Sequence, residues 1–116
     1  MPSLASADSI SDSCVLYLRY LGVNLPHAAF NASDMAHVAN DYAHVGAVAI
    51  FYYPVSGEYH VALVTGITST GLIKIAEANF HKGQIGTREI SPTDPAIIGY
   101  WSSSPFAYLN VGGNSV

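Results

Sequence analysis

Two alternating stretches joined by a short polar turn are the feature of this sequence that most constrains its fold. Residues 58–66 read Glu-Tyr-His-Val-Ala-Leu-Val-Thr-Gly, and residues 72–79 read Leu-Ile-Lys-Ile-Ala-Glu-Ala-Asn. Both alternate in polarity and carry β-branched residues, a pattern that is typical of strands. The segment 68–71, Thr-Ser-Thr-Gly, is a turn by composition, so the two stretches predict one antiparallel hairpin.

The register of this hairpin decides which of its polar side chains meet. A loop of two or four residues sets His60 opposite Asn79, and a turn that slides toward the N-terminus sets His60 opposite Glu77. Every loop of even length keeps these three side chains on one face, because side chains alternate with period two. A bulge, for which Gly71 is a candidate, would turn His60 to the other face. An imidazole beside a carboxylate and an amide is a base with its orienting partners.

Helix signals precede the strands. Residues 11–13 are polar and lead into a helix over 14–21, which Gly22 ends. After a connector, Asn31 opens a second helix that extends to about residue 43 and carries an apolar stripe. The lead-in at 1–11 is predicted to be irregular.

The remaining apolar runs predict a meander of strands. Besides the hairpin, residues 45–53, 85–90 and 96–101 have strand composition. Helices first and strands afterwards predict an α+β fold, with two N-terminal helices packed on an antiparallel sheet of about five strands. The whole chain, residues 1–116, is expected to form a single domain with a loose tail at 102–116.

Composition argues against several kinds of partner. The net charge is −4, and the four Lys and Arg residues are scattered along the chain, which disfavours nucleic acid as a ligand. No apolar stretch is long enough to span a membrane, and the start of the sequence has no signal-peptide pattern. His37 and His44 share a helical face without a third ligand, which favours a solvated face over a metal site. No metal or other cofactor is predicted.

The single cysteine, Cys14, falls in the first turn of the first predicted helix. Unpaired backbone N–H groups and the positive end of the helix dipole favour a thiolate at that position. One alternative is a buried structural Cys that behaves as a small hydrophobe, and another is that His60 is a core histidine satisfied by Glu77. With a base and its orienting partners predicted on the hairpin, a nucleophilic Cys14 is the stronger interpretation.

Five pieces of the sequence, in this order and at these spacings, carry a resemblance to a known family. They are Cys14 at a helix start, Val-Gly-Ala-Val-Ala-Ile-Phe at 45–51, Tyr-His-Val-Ala-Leu-Val at 59–64, Ile-Ala-Glu-Ala-Asn-Phe at 75–80, and Ile-Ile-Gly-Tyr-Trp at 97–101. This set resembles the cysteine, histidine-dependent amidohydrolase/peptidase (CHAP) domain of the papain-like hydrolases. The resemblance implies a papain-like CHAP fold and hydrolysis of amides, usually in bacterial peptidoglycan, without a cofactor.

The resemblance assigns a role to each site residue. The nucleophile falls on Cys14, the base on His60, the orienting acid on Glu77, and a further polar residue on Asn79. The reaction implied is acyl transfer through a thioester, with the backbone N–H of Cys14 facing the oxyanion. Ser13 stands where many members carry Gln or Asn as a second oxyanion donor.

Substrate and delivery follow from the same resemblance. The implied substrate is an amide of the peptidoglycan stem peptide or cross-bridge, and the predicted cleft walls are Tyr59, Phe80 and Trp101. Family members are common in bacteriophage lysins and virion-borne wall hydrolases, so phage lysis or virion delivery would bring this chain to the wall. The tail holds Phe106, Tyr108 and Leu109, which need cover from this domain or from a protein partner.

The sequence is also compatible with two other functions. One is a catalytically idle CHAP-like module that serves in the assembly of a phage or secreted complex. The other is a papain-like protease or amidase that acts on a substrate outside the cell wall. Fold analogy does not separate either of them from a wall hydrolase.

Overall fold

The structure, a computed structural model, describes residues 13–103 of the 116-residue chain. Within this range the chain forms two short helices, followed by five strands of one antiparallel sheet. In chain order the elements are α1 (Cys14–Tyr20), α2 (Ala32–Met35), β1 (Val48–Tyr53), β2 (Glu58–Ile67), β3 (Ile73–Ala78), β4 (Ile85–Ile90) and β5 (Ile97–Trp101). The predicted lead-in at 1–11 and the tail beyond residue 103 lie outside the described residues.

The predicted α+β architecture, with two N-terminal helices packed on the sheet, is wrong. The fold is mostly a five-stranded antiparallel sheet, and its two helices have only seven and four residues. The first helix begins and ends where local signals place it, since the Ser13 hydroxyl accepts a hydrogen bond from Leu16 N (3.1 Å) and Gly22 has a φ of 95°. The second stops at Met35 and does not continue to residue 43.

Contacts with the distant edge strand β5 end the second helix early. The backbone N–H groups of Asn40 and Asp41 both donate to the carbonyl of Tyr100, at 2.8 and 3.0 Å. This part of the chain therefore runs along β5, where Asp41 forms an antiparallel bridge with Tyr100. Gly99 permits the approach, because a Cβ at that position would lie 2.8 Å from Cβ of Ala39. Pairing between distant parts of the chain has overridden helix propensity here.

The β2–β3 hairpin contains a bulge near its tip. Leu63 pairs with Ala76, whereas Ile67 pairs with Ile73, so Thr65 is an extra residue on β2. The loop after Ile67 therefore spans the five residues 68–72 and has an odd length, unlike the loops of two or four residues considered from the sequence.

The odd loop and the one-residue bulge offset each other at the candidate base. With the odd loop alone, the alternation of side chains would place His60 on the face of Ala76 and Ala78. With the bulge, His60 shares a face with Glu77, as the sequence predicts. The predicted grouping is thus present through a route that the sequence analysis did not include.

The sheet is curled, because its two edge strands are joined directly. The strand order is β4-β3-β2-β1-β5, so a flat sheet would hold the edges about 19 Å apart. The connector 91–96 contains two turns, closed by Asp94 N to Ser91 O and by Ile97 N to Asp94 O. Such a compact connector requires the edges to approach each other.

Both faces of the curled sheet are packed. Five of the largest side chains between the helices and the sheet are Leu18, Met35, Ile50, Val61 and Trp101. The other face is filled by residues that include Phe51, Val64, Ile73, Ile75 and Tyr100. His60 and Glu77 extend this second face toward one end of the sheet, and both are buried.

Candidate active site

A cleft of ≈ 710 Å³ opens at the end of the sheet where α1 begins. Cys14 at the start of α1 and His60 on β2 both line it. The start of α2, the β1–β2 turn and the loop after β3 supply its other walls. Its remaining lining residues are Asn31, Ala32, Ser33, Tyr53, Ser56, Glu58, Tyr59, Asn79, Phe80 and Lys82. The structure therefore brings the predicted nucleophile and the predicted base into one solvent-open site.

His60 connects the cysteine to the carboxylate. Its Nε2 lies 2.7 Å from Oε1 of Glu77, and the two side chains belong to residues that are only 6% and 2% exposed. The Cys14 side chain lies close enough to the ring to contribute to the raised pKa of His60. Because Nε2 is occupied by Glu77, Nδ1 is the nitrogen left for the thiol. The three residues thus form a chain of thiol, imidazole and carboxylate.

Electrostatics favour charge on both members of the buried pair. Burial opposes a charged imidazole, but hydrogen bonds with Cys14 and Glu77 outweigh it, so the pKa of His60 is raised above 6.5. Burial likewise opposes an ionised Glu77, but hydrogen bonds from His60 and Arg88 outweigh it and lower the pKa of that carboxyl below 4.5. Glu77 is accordingly a carboxylate near neutral pH, and His60 accepts a proton readily.

Arg88 is a site residue that the sequence analysis missed. It extends from β4, where its Nε donates to Oε2 of Glu77 and its Nη2 donates to Oε1 at 3.0 Å. Oε1 of Glu77 therefore has both Arg88 and His60 as partners. Arg88 counted only as one of four scattered basic residues in the sequence. Pairing the predicted strand 85–90 with the Glu77 strand was the signal that could have placed it beside the carboxylate.

Asn79 shapes the loop that follows β3. It has a φ of 67°, its N–H donates to Gln84 O at 2.7 Å, and its Oδ1 accepts from Gly83 N at 2.8 Å. Its side chain also lines the cleft, and the loop that it holds carries Phe80 and Lys82. The structure thus gives Asn79 a clear role in loop geometry, while Nε2 of the base is bonded to Glu77.

The two residues at the helix starts differ in what they offer the cleft. The hydroxyl oxygen of Ser13 caps α1, and Ser13 is not among the described residues that line the cleft. Asn31 caps α2, and its Oδ1 accepts from Asp34 N (3.1 Å) and from the Ser33 hydroxyl. With the oxygen fixed in this way, the amide nitrogen of Asn31 is the group that can donate in the cleft. Sequence reasoning treated Asn31 only as a helix start.

Two of the three predicted cleft aromatics line the cleft. Tyr59 does so while packing beside Tyr52, with ring centroids 4.7 Å apart. Phe80 lies 5.9 Å from the His60 ring, centroid to centroid, and is 37% exposed. Trp101 is instead a core residue, 7% exposed, so its assignment to the cleft is wrong. Alternation along β5 places Trp101 on the helix-covered face of the sheet, opposite Val48.

Across residues 13–103, no group of three or more His, Cys, Asp or Glu side chains is arranged to hold a metal ion. His37 is exposed, and His44 lies 2.7 Å from Asp41. Neither helix of the described range has the length and apolar character needed to cross a bilayer.

Comparison with protein-family models, with curated proteins and with solved structures gave no match, so function is argued from the site itself.

Proposed function

We propose that this protein is a cysteine-dependent amide hydrolase that acts through a thioester. The carrying observation is the position of His60, whose ring joins the Cys14 thiol to the buried Glu77 carboxylate at the wall of an open cleft. A core histidine satisfied by Glu77 would explain the pair alone. It would not explain why the thiol of Cys14 lies beside the same ring and lines the same cleft, a space large enough for substrate.

Acylation uses Cys14 and His60 in sequence. The sulfur, with its proton transferred to His60, attacks the carbonyl carbon of the amide and forms a C–S bond. The backbone N–H of Cys14 and the amide nitrogen of Asn31 are the proposed donors to the resulting oxyanion. His60 then gives its proton to the leaving nitrogen as the C–N bond breaks, which releases the amine and leaves a thioester.

Deacylation repeats these steps with water. His60 takes a proton from a water molecule as its oxygen attacks the thioester carbon. The C–S bond then breaks and the carboxylic acid leaves. His60 gives its proton to the Cys14 sulfur, which restores the starting state. Through both halves Glu77 accepts from Nε2 of the ring, which fixes the tautomer and stabilises the imidazolium that forms.

The proposed substrate is an amide in the peptidoglycan stem peptide or cross-bridge. The resemblance to CHAP hydrolases supports this choice, and so does the chemical character of the side chains that line the cleft. Tyr59 and Phe80 offer flat apolar surfaces, while Glu58 and Lys82 offer one charge of each sign to a peptide that carries both. The net charge of −4 disfavours approach to anionic wall polymers, so activity on walls is expected to rise with moderate salt or with tethering.

Purified sacculi test this proposal. The wild-type protein should solubilise them and release new amine ends, whereas Cys14→Ala should do neither. New reducing sugar ends would mean glycosidase chemistry and would overturn the mechanism. Cleavage of small peptide amides without release from any wall type would reassign the substrate. No cleavage of either substrate, together with an inert Cys14, would favour the idle assembly module.

A further inference from the structure

Arg88 lies beside the site and is the second side chain bonded to Glu77, where it shares Oε1 with His60 and also binds Oε2. Its guanidinium carbon lies 3.5 Å from the centroid of the Phe80 ring and 5.7 Å from that of Phe51. Tyr53, from β1, lies close enough to interact with the same guanidinium. Arg88 is partly buried, and its side chain is far more exposed than the carboxylate that it binds. An arginine held between aromatic rings in this way has little freedom to move.

We propose that Arg88 is a positioning residue, which holds the Glu77 carboxylate in the orientation that keeps the His60 ring directed at Cys14. This inference rests on the proposed function, since it assigns Arg88 a part in that reaction. Arg88 touches neither sulfur nor substrate in the proposed mechanism and acts only through Glu77.

The geometry of the pair supports a positioning role. The terminal torsion of a Glu side chain is broad, so one hydrogen bond from His60 would leave the carboxylate free to turn about that bond. Arg88 binds both carboxylate oxygens through two nitrogens of one rigid plane, which removes this freedom. Phe80 covers the guanidinium and also contacts the His60 ring, so the same aromatic side chain buttresses both partners of Glu77.

Arg88 also influences how His60 holds its proton. The charged or titratable groups around the ring are Cys14 on α1, Glu77 on β3, Arg88 on β4 with Tyr53 from β1 behind it, His81 against Phe80, and Glu58 and Lys82 along the cleft. Among them Arg88 is the cation bonded to the same carboxylate oxygen as the ring. It therefore takes up part of the negative charge that would otherwise stabilise the imidazolium.

Two substitutions separate the effect of the planar guanidinium, which donates two hydrogen bonds, from the effect of its positive charge. Arg88→Gln removes both, whereas Arg88→Lys retains the charge but loses the planar fork. Lys74 is the exposed residue of β3, and Lys74→Gln changes the net charge by the same amount as Arg88→Gln, so it serves as the matched control. The His60 titration followed by NMR, the pH profile of Cys14 alkylation by iodoacetamide, and amide hydrolysis are measured for all four proteins after thermal unfolding shows that each is folded.

In Arg88→Gln the midpoint pH of the His60 titration should rise. The pH at which the Cys14 alkylation rate changes in step with His60 should rise with it. In Arg88→Lys they should stay near the wild-type position. Hydrolysis should fall on the order of tenfold to a hundredfold in both, mainly in kcat, because the ring is misaligned.

Wild-type kcat and midpoint in both folded variants would overturn the proposal. A wild-type protein that fails to hydrolyse amides would reject the proposed function. The role of Arg88 would then be decided by the two measurements that need no substrate, and an unchanged His60 titration and Cys14 alkylation profile in Arg88→Gln would reject it. If Arg88→Gln does not fold, unchanged kcat in Arg88→Lys is sufficient to reject that role.

Discussion

His60 Nε2 lies 2.7 Å from Glu77 Oε1, although the β2–β3 pairing, continued past Leu63 and Ala76, would set His60 opposite Asn79. The contact is therefore a diagonal one across the two strands, within reach of long side chains. A Glu side chain is long enough to make this contact and still bind Arg88 through both of its oxygens. The orienting role is expected to belong to Glu77, with Asn79 acting on the loop.

Glu77→Gln should lose far more activity than Asn79→Gly. The amide of Gln keeps the shape of Glu but cannot stabilise the imidazolium, so kcat should fall by about a hundredfold or more. Glycine keeps the φ of 67° at position 79 without strain and deletes only the side-chain contacts. Asn79→Gly should therefore stay within roughly tenfold of wild type and lose about 1 kcal/mol of stability through the bond with Gly83. Steady-state kinetics on one amide substrate decides the order, and equal effects in both variants would remove Glu77 from the orienting role.

Cys14 should react quickly with iodoacetamide near neutral pH. His60 lies beside the thiol and its pKa is raised, so it can take the thiol proton as the sulfur attacks. His60→Ala removes this partner, so the alkylation rate at pH 6.5 should fall by roughly tenfold or more. Mass spectrometry of the labelled protein over time gives the rate.

The control for this labelling is Cys14→Ser, which should take up no label, since Cys14 is the one cysteine of the chain. If wild type and His60→Ala react at the same rate as a small free thiol, Cys14 is an ordinary partly buried cysteine.

The stability of the fold should depend on pH through Glu77. Its pKa is lowered in the folded state, so its contribution is present above the unfolded value near 4.5 and is lost as pH falls through the folded value. Urea unfolding of wild type and Glu77→Gln at pH 6 should differ by about 1 to 3 kcal/mol in favour of wild type. At pH 3 the difference in free energy of unfolding between wild type and Glu77→Gln should be smaller.

His60 acts in the opposite direction along the pH scale. Its raised pKa means that its contribution is present below 6.5 and is lost as pH rises through the folded value. Wild type should accordingly lose stability at mildly alkaline pH, and His60→Ala should lose less over the same interval. A wild-type curve parallel to that of each variant at all pH values would contradict this account of the pair.

Asn31 should prove to be more than a helix cap. Asp is as good a cap as Asn, so Asn31→Asp should retain stability, yet it replaces the amide donor of the cleft by an anionic oxygen. Hydrolysis should then fall by about a hundredfold, the usual effect of removing an oxyanion donor. Asn31→Ala should lose both the cap, about 1 kcal/mol, and the donor. Full activity of a folded Asn31→Asp would show that Asn31 only caps α2.

Local sequence signals were sufficient for much of this fold. The polar run 11–13 and the glycine after α1 placed the first helix. The alternation of polarity placed β2 and β3, and strand composition placed β1, β4 and β5, to within a few residues. The hairpin that carries His60 and Glu77 was predictable from the sequence, but their common face depends on the bulge at Thr65, which offsets the odd loop and which the sequence did not reveal. The positions of the helix and the strands depend on neighbours in sequence, which a single sequence displays directly.

The errors arise where distant parts of the chain meet. The second helix was predicted too long because nothing local shows that Asn40 and Asp41 bond to Tyr100. Arg88 escaped notice because its role depends on the pairing of β3 with β4, and Trp101 was misplaced because the face of β5 was not determined. Tertiary pairing decides each of these cases and overrides local preference.

The bulge at Thr65 has a consequence for engineering the chain. It lies between the hairpin tip and His60, so the ladder from His60 to Val64 keeps its own register independently of how the loop 68–72 is built. Ser69 and Thr70 are exposed at the tip. An epitope or reporter peptide grafted between these two residues is therefore expected to leave the imidazole facing its carboxylate. A single residue inserted between His60 and Val64 would instead turn the ring to the helix-covered face and disconnect the thiol from its base.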